Sequence, residues 1–240
     1  MCNLALSQHE KRASQWTQTF SPKYYPGHFK LEIITTADEF REVWNLRKKP
    51  IGLIPTMGAL HDGHKSLIRK AIGDNKSVAV SIFVNPKQFA PTEDFERYPR
   101  DMKVDLEILA KEKVDLVFAP SESEIYPFGF DTRVDVGVIA TRLEGAHRPD
   151  HFRGVATVVA KLFLICRPDR AYFGQKDAQQ CAVIRQLNND LNLGVQIVTV
   201  PTVRDPDGLA ISSRNIYLSS EERLQALLIS RGLSEAHTLW

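Results

Sequence analysis

The chain of 240 residues is long enough for one large domain, or for one domain with a small companion. Its 43% hydrophobic and 25% charged residues are those of an ordinary globular protein, and a net charge of +2 without a dense basic stripe argues against nucleic-acid binding. The three cysteines are scattered with no C-x-x-C pair, which indicates neither zinc nor a disulfide framework, and the longest apolar run, Val155 to Cys166, is broken by Lys161 and too short to span a bilayer.

Residues 1–29 are polar and carry Pro22, Pro26 and Gly27, which reads as a disordered extension; a weak transit peptide is the alternative. Leu31 to Thr35 reads as a strand, and Thr36-Ala37-Asp38-Glu39 is a capping box that opens a helix through about Arg47. Ile51 to Ile54 reads as a short buried strand that Pro55 should stop, because proline cannot donate to a ladder. A helix follows from Asp62, with Leu67, Ile68 and Ala71 on one face. Ser77 to Val84 is a β-prone apolar run, and Asn85-Pro86-Lys87-Gln88-Phe89 is the loop at its carboxyl end. Arg100 to Lys113 reads as a helix with Val104, Ile108 and Leu109 inward, Asp115 to Ala119 as a strand, and residues 120–133 as a loop.

Leu143 to Gly154 is a charged turn ahead of an apolar helix, Val155 to Cys166. His147 and His151 are four apart, but Pro149 between them argues against one helix presenting both to a metal. Arg148 and Arg153 suit phosphate or carboxylate, or else merely solvate the turn. Ala171 to Gly174 reads as a strand that enters Gly174-Gln175-Lys176-Asp177 and then a helix to about Leu191, carrying Gln179 and Gln180. Val195 to Val200 is another strand. Ile211-Ser212-Ser213-Arg214-Asn215 offers two hydroxyls and a guanidinium in a row, either as an ordinary turn or as a phosphate clamp. Ser219-Ser220-Glu221-Glu222 is a second capping box, opening a helix towards Ser234. Strands alternating with helices indicate an α/β fold with a mainly parallel sheet.

The most informative stretch is Met57-Gly58-Ala59-Leu60-His61-Asp62-Gly63-His64. A strand that runs through glycines into a helix leaves free N–H groups at the helix start, a natural anion site. His61 and His64, three apart, share one side of the first turn, where imidazoles can meet phosphate oxygens. A P-loop is rejected, since His64 stands where that motif has its lysine. Histidines that only cap the helix remain the alternative.

His61-Asp62-Gly63-His64 resembles the H-x-G-H turn of the nucleotidylyltransferase superfamily and of class I aminoacyl-tRNA synthetases. With Pro55-Thr56-Met57-Gly58-Ala59-Leu60 before it, the string resembles the pantoate–β-alanine ligase family. Val84 to Phe89, Tyr98 to Asp101, His151 to Val155, Phe173 to Asp177 with Gln179-Gln180, Pro201 to Arg204 and Ser212 to Asn215 match that family in order, so the resemblance covers about residues 30–230. It implies a Rossmann-like domain over residues 30–203 with helices on both faces of a parallel sheet. Residues 204–240 would be the incomplete start of a small carboxyl-terminal lid. It implies pantoate and ATP combining to pantoyl-adenylate, which β-alanine attacks to give pantothenate and AMP, with Mg2+ required. A cytoplasmic homodimer without membrane or nucleic-acid partners is expected.

Carried over by position, Met57, Gly58, Ala59, Leu60, His61, Asp62, Gly63 and His64 would line ATP, with His64 as proton donor. Gly174, Gln175, Lys176 and Asp177 would bind ATP as well, with Lys176 on the phosphates. Val203 would meet the adenine or ribose, and Ile211, Ser212, Ser213 and Arg214 would close over the phosphates. His61, His64, Lys176 and Arg214 form the implied catalytic set. Gln88 would contact pantoate and lie next to β-alanine, Gln180 would hold pantoate, and no protein metal ligand is implied. Gln175 and Ile211 stand where many members have glutamate and methionine. A nucleotidyltransferase that does not ligate, and a weakly catalytic ATP- or pantoate-binding protein, are the rival readings.

Overall fold

A computed structural model describes residues 31–240; the expected extension over 1–29 lies outside the described residues. Six strands, β1 (Glu32–Ile34), β2 (Ile51–Thr56), β3 (Ser77–Ile82), β4 (Leu116–Phe118), β5 (Arg170–Gly174) and β6 (Gln196–Val200), form one sheet in the order β1-β4-β3-β2-β5-β6. All five pairings are parallel. The eight α-helices among the described residues are α1 (Ala37–Asn45), α2 (Asp62–Asp74), α3 (Met102–Lys111), α4 (Glu122–Ile125), α5 (Glu144–His147), α6 (His151–Cys166), α7 (Ala178–Asp190) and α8 (Ser220–Leu239).

Side chains alternate across the strands and give the sheet two cores. On one face Leu53 and Ala171 pack with Phe40 and Trp44 of α1, the apolar side of α6, and Ile184 and Leu187 of α7. On the other, Ile54 and Val80 pack with Leu67, Ile68 and Ala71 of α2 and Leu106 and Leu109 of α3. Helices therefore cover both faces, as a parallel sheet requires. No helix among the described residues is long and apolar enough to cross a membrane.

The course of β2 differs from the sequence reading. Pro55 does not end the strand but sits inside it, opposite Ser81. The Thr56 carbonyl accepts Phe83 N–H on the β3 side, whereas the Ile51 carbonyl accepts Asp169 N–H on the β5 side. Odd-numbered residues of β2 thus face β5, and pairing with β5 stops at Leu53. The missing donor of Pro55 points where no ladder partner waits. Beyond Leu53 the two central strands part. This is also where the chain, having built β3 and β4 to one side of β2, returns to build β5 and β6 on the other. Such a switch point leaves a crevice at the carboxyl ends of the strands.

Several helices also depart from expectation. α3 turns Asp105, Leu106 and Leu109 inward, leaving Val104 47% exposed. The pattern of apolar residues missed this because a carboxylate occupies the inner face. α6 begins at His151, so part of the charged turn is already helical. As expected, Pro149 separates it from α5, which ends at His147. α8 runs past Ser234 to Leu239, and the loop after β4 contains the single-turn helix α4.

Candidate active site

The turn leaving β2 is held from below. Thr56 Oγ1 donates to the Ser81 carbonyl at 2.8 Å and accepts Gly58 N–H at 3.2 Å. Asp105, only 2% exposed, accepts Ala59 N–H and Leu60 N–H at 2.9 and 2.7 Å. Burial raises the Asp105 pKa, and the two N–H groups oppose that rise. Gly58 has φ +80°, and a Cβ there would lie 2.8 Å from Asp105 Oδ2, so both conformation and space demand glycine. Ala59 follows at φ +50°, a strained value that the Asp105 bond helps to hold.

The turn delivers His61 and His64 to one side of the first turn of α2, with ring centroids 4.1 Å apart. His61 N–H donates to His64 Nδ1 at 3.3 Å. An accepting Nδ1 leaves the proton of the neutral ring on Nε2. Burial, then the charges of His61 and Lys176, pull the His64 pKa down to about 3. His61 is lowered too, by burial first and by Lys176 next, and its buried Nδ1 has no hydrogen-bond partner among the described residues. The two histidines do form a reciprocal cap at the start of α2, and both also line the cleft, so the cap alone does not account for them.

Three other segments meet this turn around a cleft of about 260 Å³. The loop after β3 brings Asn85 and Gln88, and Gln88 Nε2 lies 3.3 Å from Met57 Sδ. The carboxyl end of β5 brings Gly174, Lys176 and Asp177, with Gln180 on α7; Lys176 Nζ rests 2.9 Å from Asp177. The third segment is Ile211 to Arg214, where Ser213 Oγ donates to the Ala59 carbonyl at 3.1 Å. Arg214 makes two bonds to Asp94 at 2.8 and 2.9 Å, its guanidinium 5.2 Å from the Tyr98 ring centre. Phe83 and Val155, Val158, Val159 and Leu162 of α6 supply an apolar wall.

Of the residues expected from sequence, Met57, His61, Gly63, His64, Gln88, Gly174, Lys176, Asp177, Gln180, Val203, Ile211, Ser212, Ser213 and Arg214 line this cleft. Gly58, Ala59, Leu60, Asp62 and Gln175 do not. The first three have their N–H groups tied to Thr56 and Asp105, Asp62 is exposed beside Lys65 at 2.8 Å, and Gln175 is exposed. Sequence reasoning left Asn85, Tyr98, Glu144 and His151 unassigned, yet all four line the cleft. Arg148, one of two arginines weighed for anion contacts, is in the cleft and gripped by Glu93 and Glu144, whereas Arg153 pairs with Asp135 and Asp150 away from it. His151 contacts the Gln88 carbonyl at 2.9 Å through Nδ1. No group of three or more His, Cys, Asp or Glu able to hold a metal occurs among the described residues.

The family model described as pantoate-beta-alanine ligase matches residues 32–238. Pantothenate synthetase of Roseiflexus sp. (strain RS-1) is 60% identical over 203 residues, which are 85% of this chain and 73% of that protein. The enzyme of that name from Thermotoga petrophila is 54% identical over 213 residues, covering 88% and 76%. Among solved structures, pantothenate synthetase from Thermus thermophilus superposes with a TM-score of 0.80 at 52% identity, covering 83% of this chain and 72% of the other. A pantoate-beta-alanine ligase from Francisella tularensis, complexed with beta-gamma ATP and β-alanine, gives 0.79 at 45% identity over 83% and 77%.

Proposed function

The chain belongs to the pantoate-beta-alanine ligase family, and from that premise we propose how its residues divide the work. The reaction is ATP-dependent ligation of pantoate and β-alanine to pantothenate through a pantoyl-adenylate, with release of AMP and pyrophosphate. The observation that carries the assignment of roles is a shared cleft. The His61–His64 turn forms one wall, while Gln88 and Gln180 stand against the apolar wall of α6. A small branched hydroxy acid needs both polar anchors and apolar contact, and a triphosphate needs helix-start N–H groups and cations.

In this reading ATP lies over Met57, Gly63 and the two histidines, with Val203 on its adenine or ribose side. Lys176, Ser212, Ser213 and Arg214 meet the phosphates. His64 donates to the phosphates through Nε2–H; before nucleotide arrives, burial, His61 and Lys176 hold its pKa down to about 3. Gln88 and Gln180 hold pantoate, with β-alanine next to Gln88. Both amides are neutral, so they place the carboxylate without trapping it in an ion pair. The substrates then react directly, held in line, and no nucleophilic side chain is needed.

A magnesium ion would travel on the triphosphate, since Mg2+ favours phosphate and water ligands. Asp177, which lines the cleft, would help to hold the ion, and the ion would supply neutralisation of the crowded charge between pantoate and phosphates. Residues 204–240 belong, in this reading, to the lid. Buried free thiols at Cys166 and Cys181 suit a reducing cytoplasm. A homodimer follows by analogy with the family, and measurement of molecular mass in solution tests it.

The functional test mixes protein, ATP and Mg2+ with pantoate, with and without β-alanine. The ligase releases AMP and pyrophosphate with both acids, or holds an adenylate with pantoate alone. Nucleotidyl transfer without ligation would form no amide. His64→Ala should slow pyrophosphate release by a factor equivalent to about 2.7–4 kcal/mol, the usual worth of such a donor. Near-normal release would remove His64 from this role.

A further inference from the structure

Tyr126 stands behind the cleft, 9% exposed, and does not line it. Its hydroxyl nevertheless ends a chain of hydrogen bonds that reaches Gln88. Tyr126 Oη donates to Asn85 Oδ1 at 2.7 Å, and Asn85 Nδ2 donates to Gln88 Oε1 at 3.0 Å. An amide can be turned over in such a chain, so the polarity needs an independent argument. Two backbone groups provide it. The Gly154 carbonyl can only accept and lies 3.1 Å from Asn85 Nδ2; Lys87 N–H can only donate and lies 3.3 Å from Asn85 Oδ1. Asn85, 1% exposed, is therefore pinned with its NH2 towards Gln88, and the tyrosine must be the donor.

The consequence falls on the cleft. With its oxygen taken by Asn85, Gln88 turns Nε2 inward, where among the described residues its hydrogen-bond partner is the Met57 thioether, a weak acceptor. A carboxylate or hydroxyl oxygen displaces sulfur there without loss. The approach is rigid on the other side too, since a Cβ at Gly154 would sit 2.2 Å from the Lys87 carbonyl and push the loop away.

We infer that Tyr126 is a positioning residue which, through Asn85, fixes the Gln88 amide as a hydrogen-bond donor to an oxygen of the acid substrate. This rests on the reading that Gln88 binds pantoate. Without the Tyr126 hydroxyl, Asn85 Oδ1 loses its strongest donor. Asn85 Oδ1 then keeps only the longer bond from Lys87 N–H at 3.3 Å, so Asn85 keeps its polarity but holds the Gln88 amide less firmly in the donor orientation.

The test compares Tyr126→Phe, Gln88→Ala and the double variant by pyrophosphate release, with KM measured for pantoate and ATP. Tyr126→Phe should raise KM for pantoate roughly three- to tenfold, the worth of one net hydrogen bond, with kcat and KM for ATP within about twofold. In the Gln88→Ala background it should add nothing. A parallel rise in both KM values, or a full additional effect in that background, overturns the inference. If Gln88→Ala itself leaves KM for pantoate unchanged, the pantoate reading fails; if it raises KM and Tyr126→Phe does not, only this inference fails. Should Tyr126→Phe not fold, nitrogen-15 labelling of glutamine and asparagine side chains in the wild-type chain decides. Pantoate should shift the Gln88 NH2 resonances and leave those of Asn85 protected, and the reverse pattern overturns the inference.

Discussion

His64 gives the most quantitative prediction. Its ring is neutral in the fold because burial, His61 and Lys176 all disfavour the imidazolium, and its pKa falls from 6.5 to about 3. In the unfolded chain the same ring takes a proton near 6.5. Below that pH the unfolded state binds a proton that the folded state refuses, so stability is complete above 6.5 and is lost as pH falls towards 3. Between about pH 7.5 and pH 5, the proton-binding ratio with these two values yields a loss of about 2 kcal/mol from His64 alone. His64→Asn is the informative variant, since Oδ1 can still accept His61 N–H while the titration disappears. Urea unfolding at the two pH values, followed by fluorescence of the buried Trp44, should show the wild type losing about 2 kcal/mol more than the variant. His61 and His151 are lowered in the same direction but are common to both proteins, so they cancel to first order. Equal losses would refute the claim that His64 is held neutral, and with it the argument that His64 donates as an imidazole.

Three further outcomes are expected. Gln180→Ala should raise KM for pantoate about tenfold to a hundredfold, the range for a hydrogen bond to a charged group, with ATP binding nearly unchanged; equal loss of both affinities would indicate misfolding. Asp94→Asn should tighten ATP by up to about fivefold, because it frees Arg214 from a half-exposed ion pair worth about 1 kcal/mol; weaker ATP binding in calorimetry would mean instead that Asp94 orients the guanidinium for its ligand. Asp105→Asn should cost about 1–3 kcal/mol of stability by facing an NH2 group against one of two buried N–H donors, and KM for ATP should rise with it; an unchanged melting temperature would refute the anchoring role.

The parts of the site that sequence made legible are those carried by local pattern. A glycine-rich exit from an apolar run, and histidines three apart at a helix start, mark the β2–α2 junction without knowledge of the fold. Three of the segments that converge on the cleft were visible as interruptions at strand ends, and the fourth, Ile211 to Arg214, as a polar cluster beyond the loop after β6. Asp105 was hidden for the opposite reason. It stands within an amphipathic helix as one more charged residue, and only the fold shows that its partners are N–H groups of residues 59 and 60. Pro55 misled because the rule about proline in strands concerns donors that have somewhere to go, and here the neighbouring ladder has already ended. The loop carrying Asn85 was marked by sequence, but its contact with Tyr126, 41 residues on, had no signal, since it depends on tertiary placement.

These cases share a physical pattern that bears on the chemistry. Adenylation brings a carboxylate to a triphosphate, and the obvious remedy is a cleft of bare positive charge. Instead, Lys176 rests on Asp177, Arg214 on Asp94, and Arg148 between Glu93 and Glu144. The groups that face the cleft without a charged partner are neutral: His64 with its proton on Nε2, and Gln88 with its NH2 turned inward. Neutral donors on backbone-pinned rings and amides lose little entropy when a ligand arrives, and they do not bind the acid so tightly that it ceases to attack. The paired cations are held in place and need only exchange a carboxylate for a phosphate oxygen. On the roles proposed above, transition-state selectivity would come from charge that the phosphates draw out of existing pairs as the reaction proceeds, which would make the carboxylates beside Lys176 and Arg214 part of the machinery along with the cations.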